Sequence, residues 1–292
     1  MNNIDLTIKK GEIRGLIGPN GAGKSTTLKI LSGVLYPTTG EVSVMGFQPW
    51  IHREKYVKKI GVVFGQKSQL VWDLPALDTF SLNKVMYDIP DEIYDKNIKY
   101  FTKLLGLEEV VKKPVRQLSL GERMKCEIVC AMLHEPQLIF LDEPTIGLDL
   151  ISKETLRNFI KKVNKEKETT FILTTHDIDD IENMCDNVSI INNGTIVFND
   201  TLEKIQTYYS KRKIVKVKFL NPIVPEMMAE FNVIKSDSLS AEIEINLEEM
   251  DIKKAVYMIF DKLPIQDIDI TNIQIEEVIK ELYARREPEK VG

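Results

Sequence analysis

Short apolar runs alternate with longer amphipathic stretches between residues 12 and 191. Continuous apolar runs are typical of strands buried on both faces of a parallel sheet, and apolar positions three or four apart are typical of helices. This alternation predicts an α/β domain with a parallel sheet. The predicted strands cover residues 12–17, 41–45, 60–64, 137–141, 169–174 and 187–191. The predicted helices cover residues 24–31, 151–167 and 177–184, with a helical subdomain inserted at about 75–135.

The pattern changes near residue 210, where short amphipathic strands and helices begin. Their order, β-α-β-β-α-β, predicts a small α+β domain of the ferredoxin-like kind. We expect an N-terminal domain at residues 1–209, a C-terminal domain at 210–286 and a polar tail at 287–292. The predicted C-terminal elements are strands at residues 213–219, 231–235, 240–246 and 265–271 and helices at 224–230, 250–261 and 274–285.

Composition and charge narrow the class of protein. The 292 residues carry 44 acidic and 39 basic side chains, a near balance that argues against broad nucleic-acid binding. No apolar stretch reaches the length of about 18 residues that a membrane span needs, and no signal peptide precedes the first strand. We therefore expect a cytoplasmic protein without direct membrane insertion. Cys126 and Cys130 lack a third and fourth metal ligand nearby, so buried thiols are the better interpretation than a zinc site.

A phosphate-binding loop is predicted at residues 18–25, GPNGAGKS, which match the pattern GxxxxGK[ST] between a strand and a helix. Glycines let the backbone turn with its N–H groups pointing at phosphate oxygens, and the helix N-terminus adds positive potential. Lys24 is expected to reach the β- and γ-phosphates of ATP, and Ser25 to coordinate Mg²⁺. The candidate ATP-binding residues of this loop are Gly18, Pro19, Asn20, Gly21, Ala22, Gly23, Lys24, Ser25 and Thr26.

An apolar strand at residues 138–141 ends in two carboxylates, Asp142 and Glu143. Parallel sheets bind ligands at the carboxyl ends of their strands, which is where this pair would lie. We expect Asp142 to bind Mg²⁺ and Glu143 to orient or deprotonate the attacking water. Alone, the pair could simply open a loop; with the phosphate loop upstream, the catalytic interpretation is favoured.

Further motifs make the pattern specific. Residues 118–122, LSLGE, resemble the ABC signature LSGGQ, and Gly147-Leu148-Asp149 resembles the D-loop of the same family. His176 follows an apolar strand like the family's switch histidine, and Gln66 ends a strand like its Q-loop glutamine. Each has a structural alternative when taken alone; Ser119, for example, could serve only as a helix cap. Together, in this order, they resemble the ATP-binding subunits of ABC transporters over residues 1 to about 205.

The resemblance implies a composite site between two ATPase subunits packed head to tail. Lys24, Ser25, Gln66, Asp142, Glu143 and His176 would act from one subunit; Ser119, Gly121 and Asp149 would act from the other. Gln66 would also bind Mg²⁺. The partner subunit is expected to be a second copy or a related chain, and a separate permease is expected to hold the pair at the inner face of the cell membrane.

Two departures from the family pattern are visible. Leu120 and Glu122 replace a glycine and a glutamine of the signature, a variant that resembles ATPases of ABC-2-type exporters. No aromatic residue precedes Gly18, although family members carry an adenine-stacking aromatic on an additional upstream strand. We expect the N-terminus to be truncated or misassigned, unless adenine is held in another way.

Alternatives within and outside the family fit less well. Ribosome-associated members have two ATPase domains with a basic linker, and chromosome-associated members insert long coiled coils, for which residues 26–117 show no heptads. A kinase would leave the signature and His176 unexplained. Trp72 follows Gln66 and could anchor a permease or fill the seam between two lobes; the sequence leaves both open.

Overall fold

A computed structural model of the chain describes residues 4–65, 67–205, 211–273 and 277–279. These residues divide between two units, one within Met1–Asp200 and the other within Thr201–Ala284. The predicted boundary between residues 209 and 210 lies outside the described ranges, as does the polar tail.

The first unit is organised around a six-stranded sheet in its described part, with strand order β2-β3-β4-β1-β5-β6. The central strands β1, β3 and β4 are apolar runs whose residues are nearly all buried, as expected for parallel strands covered on both faces. The predicted parallel sheet is therefore confirmed. The strands are β1 (Ile13–Ile17), β2 (Ile60–Phe64), β3 (Leu138–Asp142), β4 (Thr170–Thr175), β5 (Asn187–Asn192) and β6 (Thr195–Thr201).

Strand register brings the predicted motifs to one edge of this sheet. Ile17 at the end of β1 is level with Thr175 at the end of β4, and Asp142 at the end of β3 is level with Thr174. Because these strands are parallel, the segments that follow them all leave the sheet on the same side.

Side chains cap free N–H groups at the N-termini of α5 and α6, the two helices that follow the signature and the D-loop motif. Ser119 and Glu122 form a capping box at the start of α5, and the Asp149 carboxylate accepts from the Ser152 N–H at the start of α6. The helices are α1 (Lys24–Leu31), α2 (Arg53–Val57), α3 (Ala76–Met86), α4 (Asp91–Leu105), α5 (Leu120–Met132), α6 (Leu150–Lys167) and α7 (Ile178–Met184).

The predicted strand at residues 41–45 is wrong. Met45 and Gly46 have positive φ angles of 51° and 78°, and Val44 and Phe47 exchange both backbone hydrogen bonds. A tight two-residue turn therefore occupies the end of the expected strand. Residues 4–8 likewise form no strand. In contrast, Asn193 and Gly194 form the predicted tight turn between β5 and β6, again with positive φ.

The second unit contains, in its described part, a four-stranded antiparallel sheet of order β10-β7-β9-β8. The predicted helix at residues 224–230 is a shorter 3-10 helix at Pro225–Met228; it begins at Pro225 because Val224, which precedes the proline, is extended. Of the helix predicted at residues 274–285, only 277–279 are described, and they are helical. The elements are β7 (Arg212–Phe219), β8 (Val233–Ser236), β9 (Ser240–Asn246), α8 (Ile252–Lys262) and β10 (Ile265–Asn272).

Candidate functional site

The loop between β1 and α1 is built for close approach of backbone to a ligand. A side-chain carbon at Gly18 would lie 2.2 Å from the Ile191 carbonyl oxygen, so only glycine fits there. Gly23 caps α1 with a φ angle of 111°, which side chains of L-residues rarely allow. The loop therefore presents main-chain groups at the N-terminus of α1, where an anion is favoured.

Lys24 is the cation of this loop. Its side chain is buried, and its Nζ donates to the carbonyl oxygens of Gly18 at 2.6 Å and Pro19 at 3.3 Å. The same Nζ lies 3.9 Å from Oε1 of Glu143. The ammonium group is thus held over the loop, next to the carboxylate that follows β3.

Ser25 and Asp142 meet across the sheet edge. The Ser25 hydroxyl donates to Asp142 Oδ1 at 2.9 Å, and the Thr174 hydroxyl donates to the same oxygen at 2.6 Å. A hydroxyl and a carboxylate side by side provide oxygen ligands of the kind that Mg²⁺ binds beside nucleotide phosphates. These two residues therefore fit the predicted Mg²⁺ site. Gln66, its third predicted ligand, lies outside the described residues.

Glu143 and His176 are in direct contact. His176 Nδ1 lies 2.6 Å from Glu143 Oε2. Glu143 also has a left-handed backbone, with φ of 54°, and its N–H is held by both the carbonyl and the hydroxyl of Thr174. A non-glycine residue persists in this conformation where its surroundings fix it, which is typical of functional sites.

These groups surround one cavity of about 740 Å³. Its walls combine the phosphate loop with residues from the ends of β3 and β4, so the nine predicted loop residues, Glu143 and His176 are all brought together. The lining residues are Gly18, Pro19, Asn20, Gly21, Ala22, Gly23, Lys24, Ser25, Thr26, Glu143, Ile146 and His176.

Ser119, Gly121 and Asp149 form a separate group, which does not line that cavity. A side-chain carbon at Gly121 would lie 2.6 Å from Ser152 Oγ and 3.7 Å from Asp149 Oδ2, so the start of α5 packs directly on the start of α6. Hydrogen bonds from the Ser152 N–H and hydroxyl hold the pKa of Asp149 below its usual value.

The sequence did not single out Thr174, although its hydroxyl contacts Asp142 and its two oxygens hold the N–H of Glu143. A threonine at a strand end carries no distinctive signal, and its partners depend on the neighbouring strand in the sheet. Cys126 and Cys130 are free and buried, and burial raises the pKa of the Cys126 thiol to about 12.

The chain matches known proteins along most of its length. Residues 1–146 match the family model described as ABC transporter. The ABC transporter ATP-binding protein NatA of Bacillus subtilis is 31% identical over 212 residues, covering 73% of this chain and 85% of NatA. The methionine import ATP-binding protein MetN 2 of Enterococcus faecalis is 30% identical over 288 residues, covering 94% of this chain and 79% of that protein.

A solved structure shares both fold and sequence with the chain. It is a dimeric ATP-binding cassette in a post-hydrolysis state with ADP and Pi, 30% identical, with a TM-score of 0.62 over 68% of this chain and 89% of that one. In the ranges that the structure describes here, no helix is both long and apolar enough to cross a membrane. From its motifs, its fold and these relatives, the chain belongs to the ABC transporter family, as an ATP-binding subunit that hydrolyses ATP.

Proposed function

We propose that this chain forms a composite-site dimer with a second ATPase subunit and drives a separate permease of the ABC-2 exporter type. The second subunit is a copy of this chain or a related one, and the pair sits at the cytoplasmic face of the membrane. The observation that carries the proposal is the contact of Glu143 with His176 beside Lys24, in a cavity that Ser119 does not reach.

In the proposed reaction, the loop N–H groups and Lys24 bind the phosphates of ATP. Mg²⁺, when bound at Ser25 and Asp142, would neutralise charge on the phosphate oxygens. Glu143 orients the attacking water and accepts its proton, while His176 holds the carboxylate at the 2.6 Å contact. Gln66 is proposed to join the metal site and to sense its occupancy.

The signature is proposed to complete the partner subunit's site. Ser119 begins α5, so the positive end of that helix and the Ser119 hydroxyl would face the γ-phosphate of the nucleotide bound to the partner. Gly121 and Asp149 share this surface through Ser152. ATP would thus close the dimer, and loss of the γ-phosphate would open it.

The exporter type is proposed from the signature itself. Leu120 is half-exposed beside Gly147, and Glu122 completes the capping box that begins α5. The LSLGE sequence resembles the ATPases of ABC-2-type exporters, and a glutamate at this position stabilises the helix start in the same way as the usual glutamine.

The permease is proposed to dock on a segment defined here as the Trp72 segment, residues 70–75. Trp72 is 54% exposed, which argues against its filling a seam between lobes. The Arg116 N–H donates to the Trp72 carbonyl at 2.9 Å, and the Val115 N–H donates to the Leu74 carbonyl at 3.0 Å. Residues 115 and 116 lead directly into the signature, so movement of the Trp72 segment would be transmitted to Ser119.

Replacing Trp72 with glutamate is expected to weaken binding of the chain to membranes of its source cell by about 30-fold, because a hot-spot tryptophan in an interface contributes about 2 kcal/mol or more. ATP turnover of the isolated chain should stay near wild type. Retention is measured by sedimentation, and the permease is identified by cross-linking from this segment and mass spectrometry. Tyr257→Glu, at an exposed aromatic of the second unit, is the matched control. Equal retention of both variants, or a cross-linked permease of another type, would contradict the proposal.

A further inference from the structure

Asp180 is a fully buried carboxylate in the first turn of α7. Three side chains from different parts of the chain bind it. The Thr175 hydroxyl donates to Oδ2 at 3.0 Å, and the Thr145 hydroxyl donates to the same oxygen. Arg157 on α6 donates from Nε to Oδ1 at 2.7 Å, and its Nη2 lies 2.6 Å from the same oxygen as an ion pair. The charge of Asp180 is therefore compensated inside the protein rather than by water.

The two threonines are next to the groups that meet in the cavity. Thr175 immediately precedes His176, and Thr145 lies two residues after Glu143. One carboxylate thus ties the segment after β3 to the end of β4. The Asp177 N–H also donates to the Thr175 hydroxyl at 2.9 Å, so this hydroxyl fixes the backbone on both sides of His176.

A second carboxylate extends the cluster toward the surface. Asp177 binds Lys153 and lies 3.9 Å from Arg157 Nη2. Burial raises the pKa of Asp177, but hydrogen bonding and the charges of Lys153 and Arg157 outweigh this and lower it. The negative charges of Asp177 and Asp180 are therefore balanced by the positive charges of Lys153 and Arg157. These contacts hold α6 and α7 together beside Thr175.

We propose that Asp180 is a positioning residue for ATP hydrolysis: through the hydroxyls of Thr145 and Thr175 it holds Glu143 and His176 in contact. The inference rests on the catalytic roles proposed above for Glu143 and His176. Glu143 keeps its left-handed backbone between two anchors, Thr174 at its own N–H and the Asp180-bound Thr145 beyond it. Loosening the second anchor lets the carboxylate drift from the position in which it meets His176.

The test removes one hydroxyl at a time and keeps the side-chain shape. Thr175→Val and Thr145→Val are expected to lower kcat for ATP hydrolysis by about 10- to 100-fold, the loss typical of a misplacement near 1 Å. The Kd for ATP should stay within about twofold, because the phosphate loop and Lys24 are untouched. Thr175→Ser and Thr145→Ser keep the hydroxyl and should recover most of the turnover.

Thr170→Val is the matched control for a purely structural effect. Thr170 is a buried threonine on the same strand, and its hydroxyl accepts from the Gly11 N–H at the opposite end of β4. Loss of this hydroxyl should lower the thermal unfolding temperature, as loss of a buried hydrogen bond does, with kcat unchanged. Asp180→Asn is compared only alongside these variants, because it removes the carboxylate that Arg157 contacts at 2.6 Å and leaves this buried cation only the more distant Asp177 at 3.9 Å.

The outcomes separate the inference from the function on which it rests. If Glu143→Gln and His176→Ala abolish turnover while both valine variants match Thr170→Val in kcat, the positioning role of Asp180 is overturned. A parallel loss of ATP affinity and kcat in the valine variants would overturn it as well. If Glu143→Gln and His176→Ala leave turnover intact, the proposed catalytic roles fail first.

Discussion

Replacing Glu143 with glutamine is expected to lower ATP turnover by about 10²- to 10⁴-fold, the usual contribution of a positioned general base. The amide keeps the size of the side chain but can neither accept the proton of the attacking water nor hold the 2.6 Å contact with His176 as a carboxylate. ATP binding should persist because the phosphate loop and Lys24 are unchanged. The variant should therefore accumulate as an ATP-bound dimer. Phosphate release and sedimentation with and without ATP measure the two effects.

The control for this variant is Glu168→Gln. Glu168 is the C-cap residue that follows α6, and its φ of 52° is close to the 54° of Glu143. The same chemical change is therefore made at a residue with the same backbone conformation. Glu168 is exposed and pairs with Lys10, away from the cavity. Its variant should hydrolyse ATP normally. Near-normal phosphate release by Glu143→Gln would contradict the catalytic role of this carboxylate.

Replacing Lys24 with alanine is expected to weaken ATP binding by about 10- to 100-fold, because a hydrogen bond to a charged partner contributes about 1.5–3 kcal/mol. Lys24 is buried in the loop, with its Nζ 2.6 Å from the Gly18 carbonyl oxygen. In the proposed site this charge would bind the β- and γ-phosphates. The Kd is measured by calorimetry with ATP and a non-hydrolysable analogue.

Lys29→Ala is the matched control for this loss of charge. Lys29 lies on the same helix, α1, but in its last turn and outside the cavity lining. Its removal should leave the Kd for ATP within about twofold. Equal affinities for wild type, Lys24→Ala and Lys29→Ala would rule out the phosphate-loop assignment.

The local motifs of this chain were predictable because each depends on neighbours in sequence. The phosphate loop and the helix that follows it form one continuous segment, which includes Gly18, Gly23 and Lys24. The structure contains this loop and helix at the positions that the sequence pattern predicts. The alternation of apolar runs likewise predicts β1, β3 and β4. A strand that is buried on both faces has no solvent-exposed polar face, so it is visible in the sequence as a nearly continuous apolar run. Local chemistry was sufficient for these elements.

Features that depend on tertiary neighbours were not predictable. Thr174 meets Asp142 only because β4 lies beside β3 in this register, and the binding of Asp180 to Thr145 and Arg157 depends on how α7 packs on α6. Residues 41–45 have the composition of a strand, but a turn at Met45 and Gly46 ends the extended run. The positive φ angles that this turn requires therefore outweigh the strand propensity of residues 41–45.

Two subunits are proposed to share each ATP site, and a mixture of two inactive variants distinguishes this arrangement from a site formed by one chain. Ser119→Arg places a bulky cation at the start of α5, where the signature would meet the partner's γ-phosphate, and leaves its own phosphate loop intact. Lys24→Ala, in contrast, impairs the phosphate loop of its own chain and leaves the signature of that chain intact. A mixed dimer contains one site with both lesions and one site with neither.

Each variant alone is expected to be nearly inactive. Equimolar mixing is expected to restore ATP hydrolysis, toward about a quarter of the wild-type rate if half of the dimers are mixed and one intact site suffices. Phosphate release from the mixture is measured against each variant mixed with itself at the same total concentration. Restored turnover confirms sites built from two subunits. A Ser119→Arg chain that is fully active by itself, with a specific rate that does not fall on dilution, would contradict a site shared between two subunits.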